Sequence, residues 1–116
     1  MSSAWEDYLR DALQDWAPVR VRRMFGGAGL FREERMFGLL ADDVLYFKCD
    51  SQNLAAFEDA GCPPFRYEAK GKPMVMSYRR CPDEALDDPE LLREWAQRGW
   101  EAALRAPLSA KKKKAG

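Results

Sequence analysis

The amino-acid sequence predicts an α+β fold in which an antiparallel β-sheet is flanked by an N-terminal, a middle and a C-terminal helix. Apolar residues recur at helical spacing near both ends of the chain, whereas the stretch between breaks into short runs alternating apolar with polar residues. The links between those runs hold only two or three residues. That is too few for the crossover a parallel pair needs, so neighbouring runs pair antiparallel.

The first helix is marked by Trp5, Leu9, Ala12, Leu13 and Trp16 behind Ser2 and Ser3, either of which can cap its amides, and Pro18 closes it. Glu6, Asp7, Asp11 and Asp15 fall largely off this stripe and read as a solvated face. Strand-like runs follow at 19–25, 28–32, 35–41 and 44–49, separated by Gly26-Gly27, Glu33-Glu34 and Asp42-Asp43. Val19 and Val21 alternate with Arg20 and Arg22, which turns the valines to the core and the arginines to solvent. Leu45, Phe47 and Cys49 alternate with Val44, Tyr46 and Lys48 in the same way. Met24-Phe25-Gly26 recurs as Met36-Phe37-Gly38, which marks neighbouring strands with similar needs, since no third copy follows.

Asp50 or Ser51 caps a helix expected to run to about Ala60, with Leu54, Ala55 and Phe57 inward and Gly61 as its stop. Pro63-Pro64 then forces extension into a hairpin of 65–69 and 73–79 about Lys70-Gly71-Lys72. The last helix has the clearest start: Asp88 as N-cap, Pro89 at the first helical position and Glu90 beside the positive helix end. Leu92, Trp95, Ala96, Gly99 and Ala103 continue it and Pro107 ends it. One domain over 1–107 is expected, with 108–116 as a disordered lysine-rich tail too polar to pack.

The composition removes whole classes of chemistry. There are 19 Lys and Arg, 19 Asp and Glu and no histidine, which excludes Ser-His-Asp, Cys-His and His-zinc sites together. Cys49, Cys62 and Cys81 contain no C-x-x-C pair; Cys49 ends a strand pattern and reads as buried, and all three are expected to stay thiols in a reducing compartment. No apolar run reaches the ~20 residues of a membrane span, and Met1 to Arg10 lacks a basic start followed by an apolar stretch. The expected location is the cytoplasm, with no membrane partner.

Three constellations invite a functional reading. Gly26-Gly27-Ala28-Gly29 follows an apolar strand, but a second strand pattern comes next where a phosphate-binding loop needs a helix, so the glycines serve to turn or bulge the sheet. Asp83, Glu84, Asp87, Asp88 and Glu90 resemble a hard-metal cluster but lack calcium-loop spacing. The basic set Arg20, Arg22, Arg23, Arg32, Arg35, Arg66, Lys70, Lys72, Arg79 and Arg80 lies on β segments, whereas residues 83–105 carry seven acidic and three basic side chains. The β segments are thus basic and the helical ones acidic, an arrangement suited to an acidic partner or to phosphates. From that set Arg20, Arg22, Arg23, Lys72, Arg79 and Arg80 are the candidate partner-binding residues.

The run Arg22-Arg23-Met24-Phe25-Gly26-Gly27-x-Gly29-Leu30-Phe31, then Met36-Phe37-Gly38-Leu39-Leu40, then Leu45-Tyr46-Phe47-Lys48-Cys49-Asp50, resembles the N-terminal domain of the TfoX/Sxy competence-regulator family. Tyr78, Pro82, Leu86-Asp87-Asp88 and Leu91-Leu92-x-x-Trp95 continue the resemblance, which covers roughly residues 5–106. It implies a strongly bent antiparallel sheet flanked by helices. It also implies bacterial cytoplasmic regulation, in which family members promote DNA-uptake gene expression with the cyclic-AMP receptor protein. Full-length members carry a second, C-terminal helical domain that the resemblance does not reach. The pattern-bearing residues are Met24, Phe25, Gly26, Gly27, Gly29, Tyr46 and Lys48, and no catalytic, cofactor-binding or metal-binding position comes with them.

The expectation is a non-catalytic regulatory or interaction domain whose partner is a protein, a component of the transcription machinery or a second copy of the chain. Two alternatives stand beside it. One is direct nucleic-acid binding through the basic sheet and the Lys111–Lys114 tail, disfavoured because the long helix is acidic. The other is a small-molecule sensor or enzyme using a pocket lined by Phe25, Tyr46 and Tyr67.

Overall fold

The computed structural model describes residues 3–24, 27–41, 44–69 and 72–106. The chain runs α1 (Ser3–Leu13), β1 (Arg20–Met24), β2 (Gly27–Arg32), β3 (Arg35–Ala41), β4 (Val44–Lys48), α2 (Leu54–Asp59), β5 (Pro64–Ala69), β6 (Lys72–Arg80), α3 (Asp83–Leu86) and α4 (Pro89–Arg105). Phe25, Gly26, Lys70, Gly71 and residues 108–116, for which a turn and a disordered tail are expected, lie outside the described residues, as do the side chains of Met24, Arg66, Tyr67 and Lys72.

The six strands form one sheet in the order β1-β2-β3-β4-β6-β5, with every neighbouring pair antiparallel. The α+β class and the four-strand meander agree with the sequence reading. The last hairpin inserts so that β6 lies beside β4 and β5 takes the edge. Pro63 and Pro64 at the start of β5 carry no N–H, and an edge position tolerates that loss.

β2 begins one residue earlier than the glycine pattern suggests. Gly27 pairs with Met24, and a Cβ there would sit 2.1 Å from the Leu40 carbonyl oxygen, so close approach of β3 demands glycine. Along β3 the register passes from Leu30↔Gly38 to Phe31↔Met36 and leaves Phe37 as an extra, bulged residue. The bulge turns Phe37 into the helix-side core, and residues 37–40 are all buried where simple alternation would expose every second one.

The four helices among the described residues pack on one face of the sheet. There Leu30, Phe37, Leu45 and Phe47 meet Leu9, Leu13, Phe57, Leu92 and Trp100 in the main core. Phe37 lies 5.2 Å from Trp16, and Phe57 lies 4.9 Å from Trp95. α4 sits close against β3 and β4 at Gly99, where a Cβ would come within 2.8 Å of the Phe37 carbonyl oxygen. Its start is as the sequence predicts: Asp88 accepts from the Leu91 amide at 3.2 Å, with Pro89 following.

The middle helix is shorter than expected. Residues 51–53 form a turn, in which Asp50 accepts from the amides of Gln52 and Asn53 at 3.0 and 3.2 Å, and Ala55 is exposed while Phe57 is fully buried. The buried Asn53 amide accepts from Asp50 N and donates to the carbonyls of Lys48 and Arg98, tying β4, α2 and α4 together. The carboxylate-rich segment after β6 forms the additional helix α3, which buries Ala85 and whose Leu86 carbonyl accepts from the Tyr8 hydroxyl at 2.7 Å.

Candidate functional site

Strand parity divides the basic residues between the two faces of the sheet. Arg23 shares a face with Val21 and Ala28 and meets the largely buried Glu6 of α1 at 3.0 Å. Arg32 lies between the indoles of Trp16 and Trp100, 4.7 and 4.5 Å from their centres. Arg35 donates to the carbonyls of Ala103 and Ala106 at the end of α4, at 2.9 and 3.2 Å. Arg79 donates to the Cys62 carbonyl at 2.9 Å and faces Glu58 at 3.6 Å. All four are committed to holding helices and loops against the sheet.

The opposite face carries no helix among the described residues. Its centre is a second cluster of Leu39, Phe65 and Tyr78, with Met36, Ala41 and Tyr46 packed against it. Tyr46 meets Phe65 edge-on at 4.7 Å. Tyr78 donates its O–H to the Met36 carbonyl at 3.3 Å, and burial pushes that hydroxyl well above its ordinary pKa.

Around this apolar centre stand four cations. Arg22 lies 5.3 Å from the Phe31 ring centre, and Lys48 Nζ lies 5.2 Å from that of Tyr78, its cross-strand partner. Burial pulls the Lys48 pKa down, partly countered by Asp50 and Cys49. Arg20 faces Glu34 at 3.6 Å and Arg80 faces Asp83 at 3.3 Å, both acids being about three-quarters exposed. Such surface pairs contribute roughly 0–1 kcal/mol, so little holds these cations to the protein. A surface with an apolar floor and weakly engaged cations suits a ligand that brings carboxylates and apolar side chains together.

The candidate residues therefore separate. Arg20, Arg22 and Arg80 share the helix-free face, Arg23 and Arg79 belong to the helix-covered one, and Lys72 is placed by its backbone pairing with Ala69. Lys48 joins the first group, and the aromatic floor of Phe31, Phe65 and Tyr78 was not singled out from the sequence. The β5–β6 hairpin brings Phe65 and Tyr78 together, and they meet Leu39 and Tyr46 only because β6 inserts beside β4, a neighbour relation that alternation does not encode. Of the expected Phe25–Tyr46–Tyr67 pocket only the Tyr46 side chain falls within the description, and it packs on Phe65. Among the described residues no three His, Cys, Asp or Glu gather to hold a metal ion, and no helix is long and apolar enough to cross a membrane.

A profile of the TfoX N-terminal domain matches residues 11–103, which takes in every strand and most of α4 but only the end of α1. The chain belongs to this family. It is similar to the DNA transformation protein TfoX1 of Aliivibrio fischeri (strain ATCC 700601 / ES114), 40% identical over 57 residues. That stretch makes up 49% of this chain and 27% of the relative. In this TfoX N-terminal domain, three residues that carry the family pattern, Gly29, Tyr46 and Lys48, fall on the helix-free face, where Gly29 pairs with Arg22 and Leu39.

Proposed function

We propose that this TfoX N-terminal domain is a non-catalytic docking module of a cytoplasmic transcriptional regulator. Its helix-free sheet face takes an acidic, apolar segment of a protein partner. The observation that carries the reading is the gathering of Arg20, Arg22, Lys48 and Arg80 around the Leu39–Phe65–Tyr78 floor on the face that no described helix covers. The name of the Aliivibrio relative, a DNA transformation protein, supports a place in control of DNA uptake.

The same chemistry raises a second reading, single-stranded nucleic acid stacked on aromatics along a basic groove. The rings speak against it. Phe65 and Tyr78 are buried, Tyr46 is half-buried edge-on against Phe65, and Arg22 lies against Phe31, so the described rings offer no open platform for bases. Without Lys111–Lys114 the remaining chain carries a net charge of −4, which repels a polyanion at distance.

The test is Arg22→Glu with Lys48→Glu, in cells carrying a reporter fused to a DNA-uptake gene promoter. Reporter output is expected to fall at least tenfold while the purified variant keeps its melting temperature within a few degrees. Unchanged output from the folded variant overturns the docking face. Binding of single-stranded DNA at low salt, lost in the variant, moves the assignment to nucleic acid.

A further inference from the structure

Cys62 and Cys81 are far apart in sequence but are brought together where β5 and β6 begin and end. Pro64 faces Arg79 in the register, and the Arg80 amide donates to the Pro63 carbonyl at 3.0 Å. Continued past the strand ends, where neither cysteine is itself in a strand, the same register sets Cys62 opposite Cys81 in a non-hydrogen-bonded position. There Cα atoms of antiparallel strands lie roughly 4.5 Å apart, within the ~4.4–6.8 Å that a disulfide spans. Cross-strand partners point to the same side, and both thiols belong to the helix-side core, 4% and 1% exposed. Both also line a cavity of about 150 Å³, together with Gly61, Pro63, Pro82 and Glu84. The cavity is partly open to solvent and has room for water-sized molecules, so a small oxidant can enter it. Cys49, on β4's far end, does not line it.

We propose that Cys62 and Cys81 form a cross-strand dithiol that hydrogen peroxide closes to an intramolecular disulfide. The Cys62 sulfur, as thiolate, attacks one peroxide oxygen; the O–O bond breaks, water leaves with the proton the thiol gave up, and Cys62 becomes a sulfenic acid. The Cys81 sulfur then attacks the Cys62 sulfur, the S–O bond breaks, and a second water leaves carrying the Cys81 proton. Two thiols and one peroxide thus become one disulfide and two waters. Cys62 takes the first step because burial pushes the Cys81 thiol up to about 12, with Cys62, Asp83 and Glu84 adding to the rise and Arg80 opposing it. Cys62 is raised by burial, Glu84 and Asp83 but is opposed by both Arg79 and Arg80. The bond closes the loop that contains β5 and β6, the hairpin that supplies Phe65, Tyr78 and Arg80 to the helix-free face.

The test treats the full chain with graded hydrogen peroxide, then alkylates it unfolded and maps its peptides by mass spectrometry. The expected product has lost two hydrogens, joins the Cys62 and Cys81 peptides, leaves Cys49 alkylated and melts several degrees higher until dithiothreitol restores it. Cys49→Ser is expected to form the same crosslink, and Cys62→Ser or Cys81→Ser none. A crosslink through Cys49, a disulfide between two chains, or alkylation of both Cys62 and Cys81 after peroxide overturns the proposal. The unsubstituted chain gives this answer whether or not the serine variants fold.

Discussion

The two faces of the sheet use the same residue types to opposite ends. On the helix-covered face Arg23, Arg32, Arg35 and Arg79 each engage a largely buried carboxylate, an indole pair or backbone carbonyls, so their charge is spent on joining elements. On the other face Arg20, Arg22 and Arg80 touch only a ring or an exposed acid. What separates the groups is strand parity and whether a helix lies above them, and composition is blind to both. An arginine count says little until each residue has been given a side.

The largest expected contrast lies between neighbours on β4. Phe47→Ala empties a fully buried position between the sheet and α4 and is expected to cost about 3–5 kcal/mol by urea unfolding. Tyr46→Ala, on the other face, is expected to cost about 1–2 kcal/mol. Equal costs would mean that the helix-free face is as much a core as the other. Next come the arginines themselves. Arg35→Ala removes charged hydrogen bonds to two carbonyls at the end of α4 and is expected to cost about 1.5 kcal/mol, whereas Arg22→Ala stays within about 0.5 kcal/mol. If Arg22→Ala destabilises as much as Arg35→Ala, the cation is structural and unavailable to a partner.

The smallest effect belongs to the seam between sheet and helix layer, where Arg105 donates two hydrogen bonds to Asp50, at 2.6 and 2.9 Å. Those bonds, with backbone amides of Gln52 and Asn53, hold the Asp50 carboxyl below its usual value. A depressed folded pKa contributes stability that is fully present above the unfolded value and lost as pH falls through the folded one. The melting temperature of wild type is therefore expected to exceed that of Asp50→Asn at neutral pH, with the gap closing below about pH 4. A gap unchanged down to pH 3 would show that the carboxylate's charge contributes nothing there.

Much of the fold was legible because local chemistry leaves local marks. Asp88-Pro89 located the start of α4, and the alternation through 44–49 sorted Leu45, Phe47 and Cys49 from Val44, Tyr46 and Lys48 correctly. Strand order was not legible, since alternation tells which side a residue faces and not which strand lies beside it; hence the unforeseen insertion of β6. The bulge at Phe37 escaped for a related reason, being a mismatch between two strands that neither run reveals alone. α3 was hidden under its carboxylates, and Ala55 was turned inward by starting the middle helix too early. One signal was present and went unused: Arg23 has the parity of Val19 and Val21, which already set it apart from Arg20 and Arg22.

β1 is an outer strand of an open sheet, paired on one side only by β2. An unpaired rim of backbone amides and carbonyls invites another polypeptide to add itself and extend the ladder, the first step of aggregation. Here the rim carries Arg20 and Arg22 beside the Glu6-paired Arg23, and a second copy arriving in antiparallel register would bring guanidinium against guanidinium. Such repulsion opposes polymerisation through that border, beside which no further strand lies among the described residues.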